Sequence, residues 1–140
     1  SVRFTPTASY AGSGRISIAA GAFTDGLGNT SRAAVLSTPI VIDTIPPAIT
    51  ITRTVSVGRI TTVTFTLSEV STNFTASNIT VAGGTFGKLV RPGKAYAGKL
   101  YQVTFTRALN STASCILSVA AGAFTDKLGN GNVVGTLTWN

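Results

Sequence analysis

Apolar and polar residues alternate over most of this chain. In Thr62-Val63-Thr64-Phe65-Thr66-Leu67 every second side chain is apolar and threonines fill the gaps. A half-buried β-strand has this period of two, because its successive side chains point to opposite faces. Ile49-Thr50-Ile51-Thr52, Asn78-Ile79-Thr80-Val81, Tyr101-Gln102-Val103-Thr104-Phe105 and Cys115-Ile116-Leu117-Ser118-Val119 follow the same rule. No segment keeps the 3.6-residue period of an amphipathic helix. Gly, Pro, Asn and Ser, the residues that turn a chain, fall between the runs at Ser56 to Arg59, Gly83-Gly84, Pro92-Gly93, Asn110 to Ser114 and Lys127 to Asn132. About seven short strands in about 95 residues predict an antiparallel two-sheet sandwich. The same parity turns Cys115 inward beside Leu117 and Val119, as a small buried hydrophobe.

The pattern also repeats. ISIAAGAFTDGLGN, Ile16 to Asn29, returns as LSVAAGAFTDKLGN, Leu117 to Asn130, at a constant offset of 101, and Val2 and Phe4 fall on Val103 and Phe105. Farther on, a gap of a few residues lays Thr38 to Asp43 over Gly135 to Asn140, with Ile40 on Leu137 and Ile42 on Trp139. Residues 1–43 therefore read as the C-terminal part of one repeat. Residues 44–140, opening on the linker Thr44-Ile45-Pro46-Pro47, read as a complete second one. The expected fold is all-β: one complete Ig-like antiparallel Greek-key β-sandwich preceded by the last strands of another. Two explanations fit the half repeat: a portion of a longer array, or a half domain completed by strands of a neighbouring subunit.

Composition narrows the function. With 44% hydrophobic and 11% charged residues, the chain has the makings of a folded core. With no His, one Cys and four carboxylates, it cannot assemble a Ser-His-Asp or Cys-His machine, a thiolate and imidazole zinc site, or a CxxC redox pair. A pair of acids could serve glycoside hydrolysis, but no aromatic sugar cleft is legible beside them. The expectation is a protein that is not an enzyme. It makes no internal disulfide, has no apolar run long enough to span a bilayer, and does not open on a signal peptide. It contains no Met, which suits a portion of a longer protein.

The segments DTIPPAITIT, FTLSEVSTNFTASNITVAGGTF and YQVTFTRALNSTASCILSVAAGAFTDKLGN resemble the bacterial Ig-like repeats strung along large surface adhesins and biofilm-associated proteins. Related repeats occur in phage virion proteins. The resemblance covers the whole chain and implies an extracellular, cell-surface spacer that displays a binding module, often with Ca²⁺ stiffening the junctions. Its partners would be neighbouring Ig-like repeats in the same or another chain, and a cell-surface glycan or other polyanion. The alternatives are a virion or filament subunit whose half domain a neighbouring chain completes, and a polyanion- or glycan-binding module. Two departures count against full calcium loading: such repeats are usually acidic, and Asn78 stands where the family often has Asp.

In an Ig-like sandwich the start of the first strand, the turn after the second and the turn after the sixth share one pole. Asp43, Glu69 and Asp126 occupy those places, so three of the four acids are expected to meet there. Like charges that close favour a cation, and a hard ion such as Ca²⁺ takes 6 to 8 oxygens. Asn73, Asn78, Asn130, carbonyls and water would complete the set. The first reading of the Asp126 turn is nonetheless structural: an Asp accepting backbone N–H bonds in an Asp-x-x-Gly-Asn loop. Asp25 is its counterpart in the first repeat.

The net charge is +7, from 11 bases against 4 acids. Lys88, Arg91, Lys94 and Lys99 crowd one hairpin with Phe86, Tyr96 and Tyr101. Bases interleaved with aromatics suit a phosphate, sulfate or sugar-acid polymer. The plainer reading is a solvated hairpin whose charges keep an edge strand from pairing with another chain. No nucleic-acid-binding motif accompanies it, so nucleic acid is not an expected partner.

Overall fold

The computed structural model describes residues 3–93 and 98–140. The chain packs as two units, Ser1–Ile45 and Pro46–Asn140. Among the described residues no helix is long and apolar enough to cross a membrane.

The first unit holds β1 (Ala11–Gly14), β2 (Ser17–Ile18), β3 (Ala34–Val35) and β4 (Ile40–Asp43), with β1 antiparallel to β4 and β2 to β3. Its register corrects the alignment of the two repeats. Ser17 and Ile18 face Val35 and Ala34 just as Ser118 and Val119 face Thr136 and Gly135, so the offset of 101 runs without a gap through Val35. Beyond it, Gly14 faces Ile40 where Cys115 faces Trp139. Ile40, not Ile42, thus occupies the place of Trp139, and the first copy carries two additional residues between Val35 and Ile40. Two residues are one full strand period, so the inward face is preserved: Ile42 is buried and Val41 exposed.

The second unit contains β5 (Ile49–Arg53), β6 (Ile60–Leu67), β7 (Ile79–Ala82), β8 (Gly84–Phe86), β9 (Leu100–Arg107), β10 (Cys115–Val119) and β11 (Gly135–Trp139), with one turn of 3-10 helix at Ala76–Asn78. One sheet has the order β5-β6-β9-β8 and the other β11-β10-β7, all pairs being antiparallel. This is the four-plus-three arrangement of an Ig constant-type sandwich, as the spacing of runs and turns predicts.

Alternation determines which side chains fill it. Val63, Phe65 and Leu67 of β6 and Tyr101, Val103 and Phe105 of β9 are buried from one sheet; Cys115, Leu117 and Val119 of β10 meet them from the other. Cys115 is free and fully buried, in its expected role. The chain changes sheets between β7 and β8 in a single step at Gly83, whose φ is +78°. A Cβ there would lie 2.7 Å from the Ser114 carbonyl oxygen, so only glycine fits both the conformation and the space.

The largest surprise in the core comes from outside the strands. Phe74, in the loop after β6, is 1% exposed. It packs edge-on against Tyr101 (4.9 Å between centroids) and Phe124 (5.2 Å), and tilted against Phe65 (5.8 Å). It closes the end of the sandwich where β6 and β10 finish. At the other end Trp139 meets Phe105 at 4.9 Å, with the Arg53 guanidinium 5.4 Å above its ring.

Phe74→Ala is expected to cost about 3–5 kcal/mol, the usual loss for an aromatic truncated in a core. For a domain of this size that lowers the melting temperature by well over 10 °C, checked by calorimetry. A loss below about 1 kcal/mol would mean that the loop does not plug the core.

Candidate functional site

The site-bearing end of the second unit is built from two loops, one after β6 and one between β10 and β11. Asn73 links them: its Oδ1 accepts the Thr125 N–H (3.0 Å) and its Nδ2 donates to Thr125 Oγ1 (3.2 Å). Asn78 links them again, donating from Nδ2 to the Ala123 carbonyl (2.7 Å), while its Oδ1 accepts the Thr75 N–H (2.7 Å) and hydroxyl (3.1 Å). Asn132 is 2% exposed and ties down the base of the second loop. Its Oδ1 accepts the Phe124 N–H (2.9 Å) and its Nδ2 donates to the Ala120 and Val133 carbonyls (2.8 and 2.7 Å).

Asp126 organises the tip of that loop. Its Oδ1 accepts the N–H groups of Leu128 (2.8 Å) and Asn130 (3.0 Å), and its Oδ2 accepts the Asn130 side-chain amide (2.7 Å). Asp25 does the same with Leu27, Asn29 and the Asn29 amide, each at 2.9 Å. Gly28 and Gly129 take positive φ, +84° and +91°, at the equivalent step. The Asp, Leu, Gly and Asn that the two turns share thus form the same bonds in each, although Phe124 is buried beneath one and Phe23 is 61% exposed in the other. The structural reading of the Asp-x-x-Gly-Asn loop is realised in both copies.

Burial pushes the Asp126 carboxyl up, but the Asn130 amide and the N–H groups of Asn130, Leu128 and Gly129 outweigh it and hold it below its ordinary 3.8. In Asp25 the Asn29 amide leads, with the Asn29 and Leu27 N–H groups, and the shift is also downward.

Half-buried Glu69 follows β6 and joins Asp126 at this pole, a carboxylate oxygen of each lying within 4.8 Å of the other. Asp126 has about four lone-pair positions, and its turn brings four donors to them, the Asn130 amide and the N–H groups of Leu128, Gly129 and Asn130. Asp43 ends β4 in the first unit, and its Oδ1 accepts the Ile45 N–H at 3.0 Å. Asn78 lies beside the pole, but its single side-chain oxygen already serves Thr75.

The predicted basic hairpin divides. Lys88 and Arg91 share an open concavity with Phe74, Leu89 and Tyr101, the Arg91 guanidinium standing 5.2 Å above the Tyr101 ring. Both bases follow the edge strand β8, where charge discourages pairing with another chain. Lys99 turns away to donate from Nζ to the Ser68 carbonyl (2.8 Å). Lys94 lies outside the described residues.

Sequence reasoning missed a second group of bases. Arg53, Arg59 and Arg107 gather at the opposite pole, Arg59 Nη1 donating to the Arg107 carbonyl (3.1 Å) and Arg107 Nη2 to that of Ala113 (2.9 Å). Arg107 lies 48 positions from Arg59, and the pairing of β6 with β9 brings it there. Asn132 was legible in principle, since Ser31, at the same place in the first repeat, accepts the Phe23 N–H (3.3 Å) in the same way.

The family model for the bacterial Ig-like domain matches residues 43–139. No curated protein and no solved structure matches the chain.

A carboxylate whose pKa is lowered by folding stabilises fully above its unfolded value and loses that contribution as pH falls through its folded one. Asp126→Asn is therefore expected to cost about 1–3 kcal/mol at pH 7. The gap between variant and parent should close as urea unfolding is repeated below pH 3.8. A gap that persists at pH 2 would rule out the charge as its source.

Proposed function

The chain belongs to the bacterial Ig-like domain family, and from that premise we propose that it is a non-enzymatic, extracellular spacer repeat of a bacterial surface adhesin. Domains of this family are commonly extracellular and structural. The observation that carries the reading is the direction of the strands. β5 starts at the pole of Glu69, Ile49 facing Leu67, and β11 ends at the arginine pole, Trp139 facing Cys115. Tension applied through the two ends of this unit runs along the strands. Ladder bonds lie across them, so the five pairs joining β5 to β6 and the five joining β10 to β11 are loaded together rather than one at a time. A spacer that must not yield needs this geometry.

Calcium at the acidic pole is the finer part of the proposal. Glu69 and Asp126 supply two carboxylates. A third comes from Asp43, which is tethered to Ala48, a residue bonded at both N–H and C=O to Ser68 (2.9 Å each). Carbonyls and water complete the shell of an ion that accepts 6 to 8 oxygens in flexible geometry. Asn78 steadies the loop in this arrangement and leaves coordination to the acids.

Stretching single molecules tests the spacer reading. The second unit should give way in one step of about 300 Å, the extension of about 95 residues, at a force well above that which peels a hairpin; gradual lengthening without a peak would contradict it. Calcium is tested by melting. At a hundredfold excess over its dissociation constant the ion adds about 2.7 kcal/mol, so chelation should lower the transition by about 10 °C or more. Glu69→Ala should abolish the difference. Equal melting with and without chelator sinks the metal and leaves the spacer standing.

A further inference from the structure

We propose that the flank of the second unit along its edge strand β8 binds a carboxylate-bearing polysaccharide, held at two hollows near the two ends of that strand. The first hollow, about 310 Å³, lies where the chain changes sheets. Gly83 and Gly84 leave it open, and Arg59 and Arg107 line it with Thr85 and Thr106. Its two guanidinium groups are already fixed in place. Arg59 Nη1 donates to the Arg107 carbonyl (3.1 Å) and Arg107 Nη2 to that of Ala113 (2.9 Å), each bond using one of five N–H groups. The rest of a planar guanidinium can meet a carboxylate with two parallel bonds. Anchored in this way, the side chains have little freedom left to lose on binding.

The second hollow, about 370 Å³, is lined by Lys88, Leu89 and Arg91 with Phe74 and Tyr101. Here the Tyr101 ring, 5.2 Å from the Arg91 guanidinium, does what the carbonyls do for Arg59 and Arg107. Strand register relates the two hollows. Gly84 faces Arg107 and Val90 bridges to Gln102, so they are separated by the length of β9 from Gln102 to Arg107, about 17 Å at the rise of an antiparallel strand. A linear polymer of a few sugar units covers that length, and once one hollow is engaged the second contact is intramolecular. The lining also argues for a sugar acid over other polyanions. Thr85 and Thr106 place hydroxyl groups beside the cations, and among the described residues neither hollow is lined by an acid. Phe74 and Tyr101 are each 1% exposed and offer no face on which a nucleic-acid base could stack. β8 is three residues long, a short ladder for an acidic peptide strand to extend. Every residue lining the hollows falls between Arg59 and Ala108, inside the complete repeat.

The test titrates a galacturonate hexamer into the chain by calorimetry, with chelator present so that calcium bridges nothing. Arg59→Gln with Arg107→Gln should weaken binding by about tenfold or more, and so, separately, should Lys88→Gln with Arg91→Gln. Arg107→Lys, which keeps the charge and loses the fork, should weaken it even where the double variant fails to fold. A galacturonate dimer, too short to reach both hollows, should bind about tenfold more weakly than the hexamer. Arg15→Gln with Arg32→Gln removes as much charge from the first unit and should bind as the parent does. A hexamer that does not bind overturns the proposal. Equal loss in the Arg15 and Arg32 variant also overturns it, by reducing the effect to net charge. So does tighter binding of a thymidine oligonucleotide of the same charge, which would assign the flank to nucleic acid. None of these outcomes bears on the spacer reading, whose force signature needs no ligand.

Discussion

The contact of Phe74 with Phe124 joins two irregular loops across the open end of a sandwich, and the acidic pole depends on it. Strands can close the sides of a two-sheet core by alternation, but the ends must be closed by loops, whose backbone groups then need partners. Here the aromatic pair excludes water from the end, while Asn73 and Asn78 bond the two loops together around it. Glu69 and Asp126 approach each other because the loops that carry them are held in this way. The first unit shows the loop without its plug: the Asp25 turn forms intact, yet Phe23 projects into solvent.

Charge follows the same axis. Acids occupy the end where β5 begins, and Arg53, Arg59 and Arg107 the end where β11 finishes. The arginines are held in place by Trp139 and by the carbonyls of Thr54, Arg107 and Ala113. Within the second unit Arg53, Arg59 and Arg107 gather at one end and Lys88 and Arg91 beside an edge strand, while Glu69 and Asp126 share the other end with Lys99 and Lys127.

Much of this was legible in the chain. The period-two runs around Val63, Val103 and Leu117 became β6, β9 and β10, and the parity argument placed Cys115 correctly. The duplicated Asp turn formed twice with the same bonds. The alignment of Ile42 with Trp139 was off by two residues because a shift of one full strand period leaves the hydrophobic pattern unchanged; only pairing partners reveal it. Phe74 gave no periodic signal, standing alone among Ser, Thr and Asn, and its burial follows from Phe124 and Tyr101 arriving from elsewhere in the chain. The arginine pole was hidden for the same reason.

The sequence by itself determined every feature whose forces act within a few residues: strand direction and face, the Asp126 and Asp25 turns, and the repeat that relates them. Such features need only alternation and hydrogen bonds spanning two to four positions. The tertiary structure alone decided which loops meet, as in the Asn73–Thr125 bond across 52 positions, which aromatic seals the core, and how close two carboxylates lie. Those outcomes depend on sheet order and on the packing of one sheet over another, and no local pattern encodes a distance between loops that the chain joins only through several intervening strands.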